Sequence, residues 1–254
     1  YFGGLVGILD SYSLLCVFGL NEANRNCEVV WQYGPLCENG WTDPDSFQPL
    51  ADRRQTVLIA TEGSSDARIL AHALKLLRPD ILDFFRFIDL TEGHPFAGVG
   101  NLVKFAQGLV AIDVQNKLLL VLDNDAEGVD GYQKISALRL PANMGVMVLP
   151  DLEAFRSFPA RGPEGVVASD INGRAAAIEC YLDLDFSGKP PAAVTWTNYK
   201  KDVDRYQGSL DFKTTYVEDF LRQTPATIAE GRYDVSKMKA VLDAVFEACQ
   251  PLAL

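Results

Sequence analysis

Four apolar runs between Gln55 and Pro150 alternate with stretches of helical spacing, and this alternation is the strongest constraint on the fold. The runs are TVLIAT, FFRFIDL, KLLLVLD and GVMVLP, which begin at residues 56, 84, 117 and 145. The segments between them repeat apolar residues three and four apart, over residues 64–77, 100–109 and 131–138. Strands that are apolar along their whole length are typical of a parallel sheet covered by helices on both faces.

This pattern predicts an α/β domain over residues 55–150, with a four-stranded, mainly parallel sheet flanked by helices. Residues 1–54 are expected to form an N-terminal helix and a polar connector, because Gly-Pro, Asn-Gly and Asp-Pro pairs favour turns. Residues 151–254 are predicted to be an α-rich C-terminal extension. Its helical stretches are expected at residues 173–182, 212–222 and 235–248.

The first twenty residues, YFGGLVGILDSYSLLCVFGL, are nearly long enough to span a bilayer. Asp10, four glycines and the absence of flanking basic residues favour a buried helix instead, and a signal peptide would need a positive start. Because the first residue is Tyr rather than Met, we expect this helix to be the last of a preceding domain, one that could be regulatory.

Composition narrows the functional classes. The net charge of −11 disfavours a protein that coats nucleic acid with its whole surface, because duplex binding depends on phosphate neutralisation by Lys and Arg. The five cysteines are irregularly spaced and contain no C-x-x-C pair, which argues against a disulfide framework or zinc ribbon and favours the cytoplasm. Of the two histidines, His72 is predicted to be structural and His94 lies in a loop where it could contact substrate.

Acidic residues follow two of the predicted strands directly. Glu62 comes after the first strand, and Asp123 and Asp125 come after the third, so all three are expected at the same edge of the sheet. Crowded carboxylates repel each other, and a divalent cation such as Mg²⁺ removes that cost while it retains waters and phosphate ligands. Glu62 is then available as a metal ligand or as a general acid/base.

Three further residues are candidates for contact with substrate. Gly63 and Gly128 would allow close approach of backbone or substrate. Lys104 follows the sequence GVGN and could contact phosphate, and the alternative is an exposed helical lysine.

The motifs TEG at residues 61–63 and LDNDAEG at residues 122–128 each end an apolar strand in a β-α-β-α-β order. In this combination, residues 55–150 resemble a Toprim domain, a Rossmann-like fold found in primases, topoisomerases, small ribonucleases and the overcoming-lysogenization-defect nucleases. The resemblance implies that Glu62 is the catalytic glutamate and that Asp123 and Asp125 bind Mg²⁺ or Mn²⁺.

The spacing from Glu62 to Asp66 resembles the nuclease branch of that family, in which the second acidic residue joins a further metal site. FAGVGNLVKFA at residues 96–106 resembles the branch's second motif, and INGRAAAIECYLDL at residues 171–184 resembles a segment with another acidic ligand, here Glu179. Glu127 is a further candidate ligand. Alternatively, Asp66 and Glu127 could simply favour the positive end of a helix dipole, and Glu179 could belong to an exposed acidic face.

The preferred hypothesis is therefore a metal-dependent nuclease that acts on DNA or RNA. The layout also resembles, more distantly, bacterial proteins that join a HEPN-like helical region to a Toprim domain and are suspected of antiviral defence. The alternative hypothesis is a non-catalytic Toprim module that scaffolds a partner protein or nucleic acid. A homodimer is compatible with the apolar content, and no membrane partner is expected.

Overall fold

The structure is a computed structural model that describes residues 11–25, 27, 34–40, 56–88, 98–185 and 190–253. The chain divides into two compact units, Tyr1–Pro49 and Leu50–Leu254. The start of the predicted N-terminal helix, most of the connector and His94 lie outside the described residues.

The first unit contains three short helical segments in its described part. They are α1 (Ser11–Gly19), a 3-10 turn (Glu22–Asn24) and α2 (Gly34–Glu38). The sequence predicted a buried helix here, and in the described part of α1 the side chains of Leu15, Val17 and Phe18 are exposed. No helix in the described ranges is long and apolar enough to cross a membrane.

The second unit is built on a four-stranded sheet of β1 (Val57–Thr61), β2 (Phe85–Phe87), β3 (Lys117–Leu122) and β5 (Met144–Val148). Every pair of neighbouring strands is parallel, and their order in the sheet is β2-β1-β3-β5. The helices between them are α3 (Ser64–Leu77), α4 (Val99–Ala111) and α5 (Ala126–Ser136), and a 3-10 helix (Pro79–Phe84) precedes β2. The predicted α/β fold with a sheet flanked by helices is confirmed, and it is consistent with a Rossmann-like Toprim fold.

Two apolar cores cover the two faces of this sheet, which explains why its central strands β1 and β3 are mostly apolar. Along β3, Leu119 and Val121 belong to one core, and Leu118, Leu120 and Leu122 belong to the other. The first core includes the buried faces of α3 and of the C-terminal helix α8 (Ser236–Cys249), and the second includes those of α4 and α5.

The C-terminal part of this unit contains a second sheet that the sequence analysis did not predict. Its strands are β6 (Phe158–Gly162), β7 (Gly165–Ser169), β9 (Val194–Lys200) and β10 (Arg205–Leu210). Their order in the sheet is β10-β9-β6-β7. The helices α6 (Lys213–Arg222), α7 (Pro225–Ala229) and α8 follow, so the helical stretches predicted near 212–222 and 235–248 are present. Short 3-10 helices complete the unit at Glu153–Phe155, Ile178–Tyr181, Lys201–Val203 and Gln250–Ala253.

The helix predicted at residues 173–182 is wrong. This segment forms the two-residue strand β8 (Ala175–Ala176) and then the 3-10 helix Ile178–Tyr181. Strand β8 pairs antiparallel with β4 (Asn124–Asp125), which directly follows β3. Nearly every side chain of the segment is buried, so an amphipathic helix with one solvent-facing side would not fit its position.

Candidate functional site

A cleft of about 330 Å³ lies at the carboxyl edge of the parallel sheet. Five carboxylates line it, and we call it the carboxylate cleft: Glu62, Asp66, Asp123, Asp125 and Glu179. The second sheet and α6 complete its wall with Thr197, Gln207, Ser209 and Lys213. The site is therefore formed by the α/β core together with the C-terminal region.

A hydrogen bond between the ends of two adjacent strands positions Glu62. Its Oε1 accepts the backbone N–H of Asp123 at 2.9 Å, which connects the residue after β1 to the residue after β3. The Oδ1 of Asp123 in turn accepts the N–H of Ile178 at 2.9 Å. That contact brings the neighbouring Glu179, whose residue surface is only 4% exposed, to the same cleft.

Asp66 lies in the first turn of α3 and is turned back toward the start of the helix. Its Oδ2 accepts the N–H of Gly63 at 2.8 Å, and its Oδ1 accepts the hydroxyl of Ser65 at 3.0 Å. The residue is 8% exposed. Burial, followed by the nearby charge of Glu179, raises the pKa of Asp66 to about 6.

Asp125 is held from two sides. Its Oδ1 accepts the N–H of Gly128 at 2.7 Å and thereby caps α5, and its Oδ2 accepts a hydrogen bond from the side-chain amide of Gln207. The same Gln207 amide accepts the N–H of Glu127 at 3.0 Å through its oxygen. One glutamine of β10 thus fixes both the carboxylate and the first turn of α5.

Burial and nearby negative charge raise the pKa values of Glu62, Asp66, Asp123 and Asp125. Burial is the largest cause for Glu62, Asp123 and Asp125. Repulsion from Asp125 adds to the rise for Glu62, and repulsion from Asp66 and Glu62 adds to it for Asp123. Among the described residues that line the cleft, Lys213 alone is positively charged, and its Nζ lies 3.8 Å from Glu179 Oε1. The cleft is therefore an electrostatically unfavourable cluster of acids.

The donor chemistry of the cleft fits a hard divalent cation, because carboxylate oxygens are the ligands that Mg²⁺ and Mn²⁺ prefer. Within the part of the chain that the structure describes, however, no three Asp, Glu, His or Cys side chains are already grouped to hold a metal ion. The carboxylates are instead directed to N–H and hydroxyl donors, as described above. Side-chain rotation would be needed to direct several of them to one ion.

The structure does not place three of the sequence candidates in the cleft lining. The carboxylate of Glu127 forms an ion pair with Lys200, whose Nζ also lies 3.2 Å from Asp130 Oδ2. Gly128 is buried, and a Cβ at this position would lie 2.0 Å from the carbonyl oxygen of Asp123, so its small size serves packing. Lys104 is exposed on α4. Gly63 does line the cleft, next to Asp66.

Gln207 and Lys213 are the residues that the sequence reasoning missed. They lie about eighty residues beyond the aspartates, on elements that close over the sheet edge, and no motif spacing connects them. Only the strand-like composition of residues 194–210 could have indicated a second layer in this position.

We predict that Gln207→Ala lowers the free energy of unfolding by about 1 to 3 kcal/mol, because it leaves a buried Asp125 oxygen and the Glu127 N–H without their partner. Urea denaturation in EDTA measures this loss. The matched control is Gln133→Ala on the exposed face of α5, which should change stability little. Equal effects of the two substitutions would contradict the role assigned to Gln207.

Comparisons with known proteins give one family match. Residues 1–55 match the model described as HEPN/Toprim N-terminal domain 1. The comparison with curated proteins and the comparison with solved structures each found no match. The family match supports a HEPN/Toprim-associated protein.

Proposed function

We propose that this chain is a nuclease that hydrolyses phosphodiester bonds of nucleic acid with Mg²⁺ or Mn²⁺ in the carboxylate cleft. The observation that carries the proposal is the convergence of five carboxylates from three parts of the chain on one cleft at the sheet edge. Bringing acids together at the expense of mutual repulsion is typical of a functional site. The match at residues 1–55 is compatible with a role in bacterial defence.

The positions of the side chains support the following roles. Asp123 and Asp125, with Asp66 and Glu179 across the cleft, would hold the metal, which supplies positive charge for the phosphate oxygens and lowers the pKa of bound water. Of these, Asp125 is kept in place by Gln207 and by the Gly128 N–H.

Glu62 is the candidate for proton transfer. Burial and neighbouring charge raise its pKa well above the usual value, and a general acid/base is most effective when its pKa lies near the working pH. Glu62 Oε1 accepts the hydrogen bond from the Asp123 N–H, and Oε2 takes no part in that hydrogen bond. Lys213 adds a positive charge that can attract the phosphate group.

A cleavage assay tests the proposal. Supercoiled plasmid, linear DNA, single-stranded DNA and structured RNA are each incubated with Mg²⁺, Mn²⁺ or EDTA. We expect cleavage of at least one polymer with metal, none in EDTA, and loss of cleavage in Asp123→Asn/Asp125→Asn. The control Asp83→Asn/Glu153→Gln removes two exposed carboxylates outside the cleft and should cleave as the parent does.

Absence of cleavage, together with no Mn²⁺ binding by calorimetry that Asp123→Asn/Asp125→Asn abolishes, would refute the nuclease. The non-catalytic scaffold would then be the better account. Metal binding without cleavage would retain the metal site and reject the activity of this chain by itself.

A further inference from the structure

A second cleft lies on the other side of β4. Asn124 lines it, whereas Asp123 and Asp125 on either side line the carboxylate cleft, as expected from the alternation of side chains along an extended chain. Its volume is about 670 Å³. We call it the arginine cleft, after Arg174 and Arg205 in its wall.

The charged groups of the arginine cleft differ in how they are satisfied. Asp151 accepts the amide of Asn124 at 2.7 Å, and Asp170 accepts the side-chain amide of Asn172 at 2.9 Å and its N–H at 3.0 Å. The guanidinium Nη1 of Arg205 donates a hydrogen bond to the carbonyl oxygen of Gly173 at 3.1 Å.

The exposed guanidinium of Arg174 has no hydrogen-bond or ion-pair partner among the described residues. Its donors are therefore available to an external anion, in a protein whose net charge is −11.

The backbone around Arg174 is firmly held. Arg174 forms a parallel β-bridge with Asp125, and the carbonyl of Arg174 accepts the N–H of Gly208 at 3.1 Å. The preceding loop is held by Asn172, whose side chain bonds both the N–H and the carbonyl of Leu152, at 3.0 and 3.1 Å. A fixed backbone reduces the entropy lost when a ligand binds.

We propose that the arginine cleft binds the backbone of a single-stranded nucleic acid whose neighbouring phosphodiester occupies the carboxylate cleft. Arg174 and Arg205 contact its phosphates, and Tyr132, which is 39% exposed in the same cleft, stacks on an unpaired base. This inference rests on the proposed nuclease function.

Three considerations favour this ligand. Arginine binds phosphate through several parallel N–H donors, and an adjacent aromatic ring suits a base that is not paired. The carboxylate cleft repels phosphate, so the affinity for a strand must come from positive groups beside it. Arg174 is bridged to Asp125 itself, so a strand that crosses β4 would meet both clefts.

Fluorescence anisotropy with labelled single-stranded DNA and RNA oligonucleotides tests the inference, with Ca²⁺ present and salt varied from about 50 to 200 mM. We expect Arg174→Ala to weaken binding about tenfold, since a hydrogen bond to a charged group is involved. It should also reduce the steepness with which the logarithm of the association constant falls with the logarithm of salt concentration. The expected reduction is about 0.7, the value of one phosphate contact on a single strand. Tyr132→Ala should weaken binding about fivefold or more without changing the slope.

The matched control is Arg222→Ala at the end of α6, which removes another exposed guanidinium, one that lies outside both clefts. Unchanged affinity and slope in Arg174→Ala, or a parent that binds no oligonucleotide at the lowest salt, would overturn the inference. Competition by inorganic phosphate or a mononucleotide as effective as that of the oligonucleotide would also overturn it, in favour of a free-anion site. If the parent cleaves nucleic acid while Arg174→Ala binds normally, only this inference fails, whereas a parent that binds but never cleaves contradicts the proposed nuclease.

Discussion

Gly128→Ala is expected to lower the free energy of unfolding by at least about 3 kcal/mol, and the variant is expected to accumulate poorly as a folded protein. An added Cβ would lie 2.0 Å from the carbonyl oxygen of Asp123 and 3.0 Å from Glu62 Oε1. The first of these is a backbone atom at the end of a buried strand, so no side-chain rotation can relieve the clash. Either α5 must move away from β3, or the backbone at Asp123 must shift, which would disturb the hydrogen bond from its N–H to Glu62.

Urea denaturation in EDTA measures the loss, and Gly108→Ala is its matched control. Both glycines lie inside helices, but the structure has nothing within 4 Å of the added Cβ at Gly108, which is exposed on α4. Gly108→Ala should therefore stabilise the protein by about 0.5 to 1 kcal/mol, because alanine loses less conformational freedom than glycine in a helix. Similar values for the two variants would show that β3 and α5 are not in the close contact described.

Gly128 also shows what the sequence predicts and what only the tertiary structure reveals. The sequence LDNDAEG indicated close approach of either backbone or substrate at Gly128, and the structure shows that the backbone of Asp123 is the close neighbour. A pattern can reveal that a side chain is excluded. It cannot reveal which neighbouring atom excludes it, because that atom belongs to the tertiary structure.

The parallel sheet could be predicted because its central strands β1 and β3 are buried on both faces, and this leaves continuous apolar runs in the sequence. Strands of the second sheet carry no such signal. In β7, residues 165–168 are exposed, and β10 includes the polar residues Arg205, Gln207 and Ser209. Residues 194–200, VTWTNYK, are rich in the β-branched and aromatic residues that favour strands, and they were the best available indication.

The residues of the candidate site could likewise be predicted only in part from the sequence. Glu62, Asp123 and Asp125 follow apolar strands, so topology alone predicts that they meet at one edge. Glu179 was identified only through a resemblance, in a segment that was wrongly predicted to be helical, and Gln207 and Lys213 were not identified. Glu127 was grouped with the ligands on account of its position, but Lys200 of β9, seventy-three residues away, pairs with it instead.

Asp66→Asn is expected to stabilise the metal-free protein relative to the parent at neutral pH, and not at acidic pH. The pKa of Asp66 is about 6 in the folded chain and about 3.8 when its surroundings are removed, so the folded state retains the proton more strongly. As the pH rises from about 4 through about 6, the parent must ionise a buried group and loses stability, and asparagine does not. The full difference corresponds to about 3 kcal/mol.

Urea denaturation of both proteins in EDTA, at several pH values between 4 and 7.5, measures this dependence. Groups that titrate alike in the parent and the variant cancel in the difference between their free energies. Repulsion between Asp66 and Asp123 contributes with the same sign, because removing the charge of Asp66 also lowers the cost of ionising Asp123. A difference between Asp66→Asn and the parent that does not change with pH would contradict the described burial of Asp66.

Divalent metal should reverse the advantage of Asp66→Asn. If the carboxylates hold a cation, Mg²⁺ or Mn²⁺ binds the folded state alone and stabilises the parent in proportion to the logarithm of metal concentration. The ionised form of Asp66 is then favoured instead of penalised. The difference in free energy of unfolding between Asp66→Asn and the parent at pH 7 should therefore narrow or change sign when EDTA is replaced by millimolar Mn²⁺. A gap that metal leaves unchanged would mean that Asp66 raises the energy of the cleft without taking part in metal binding.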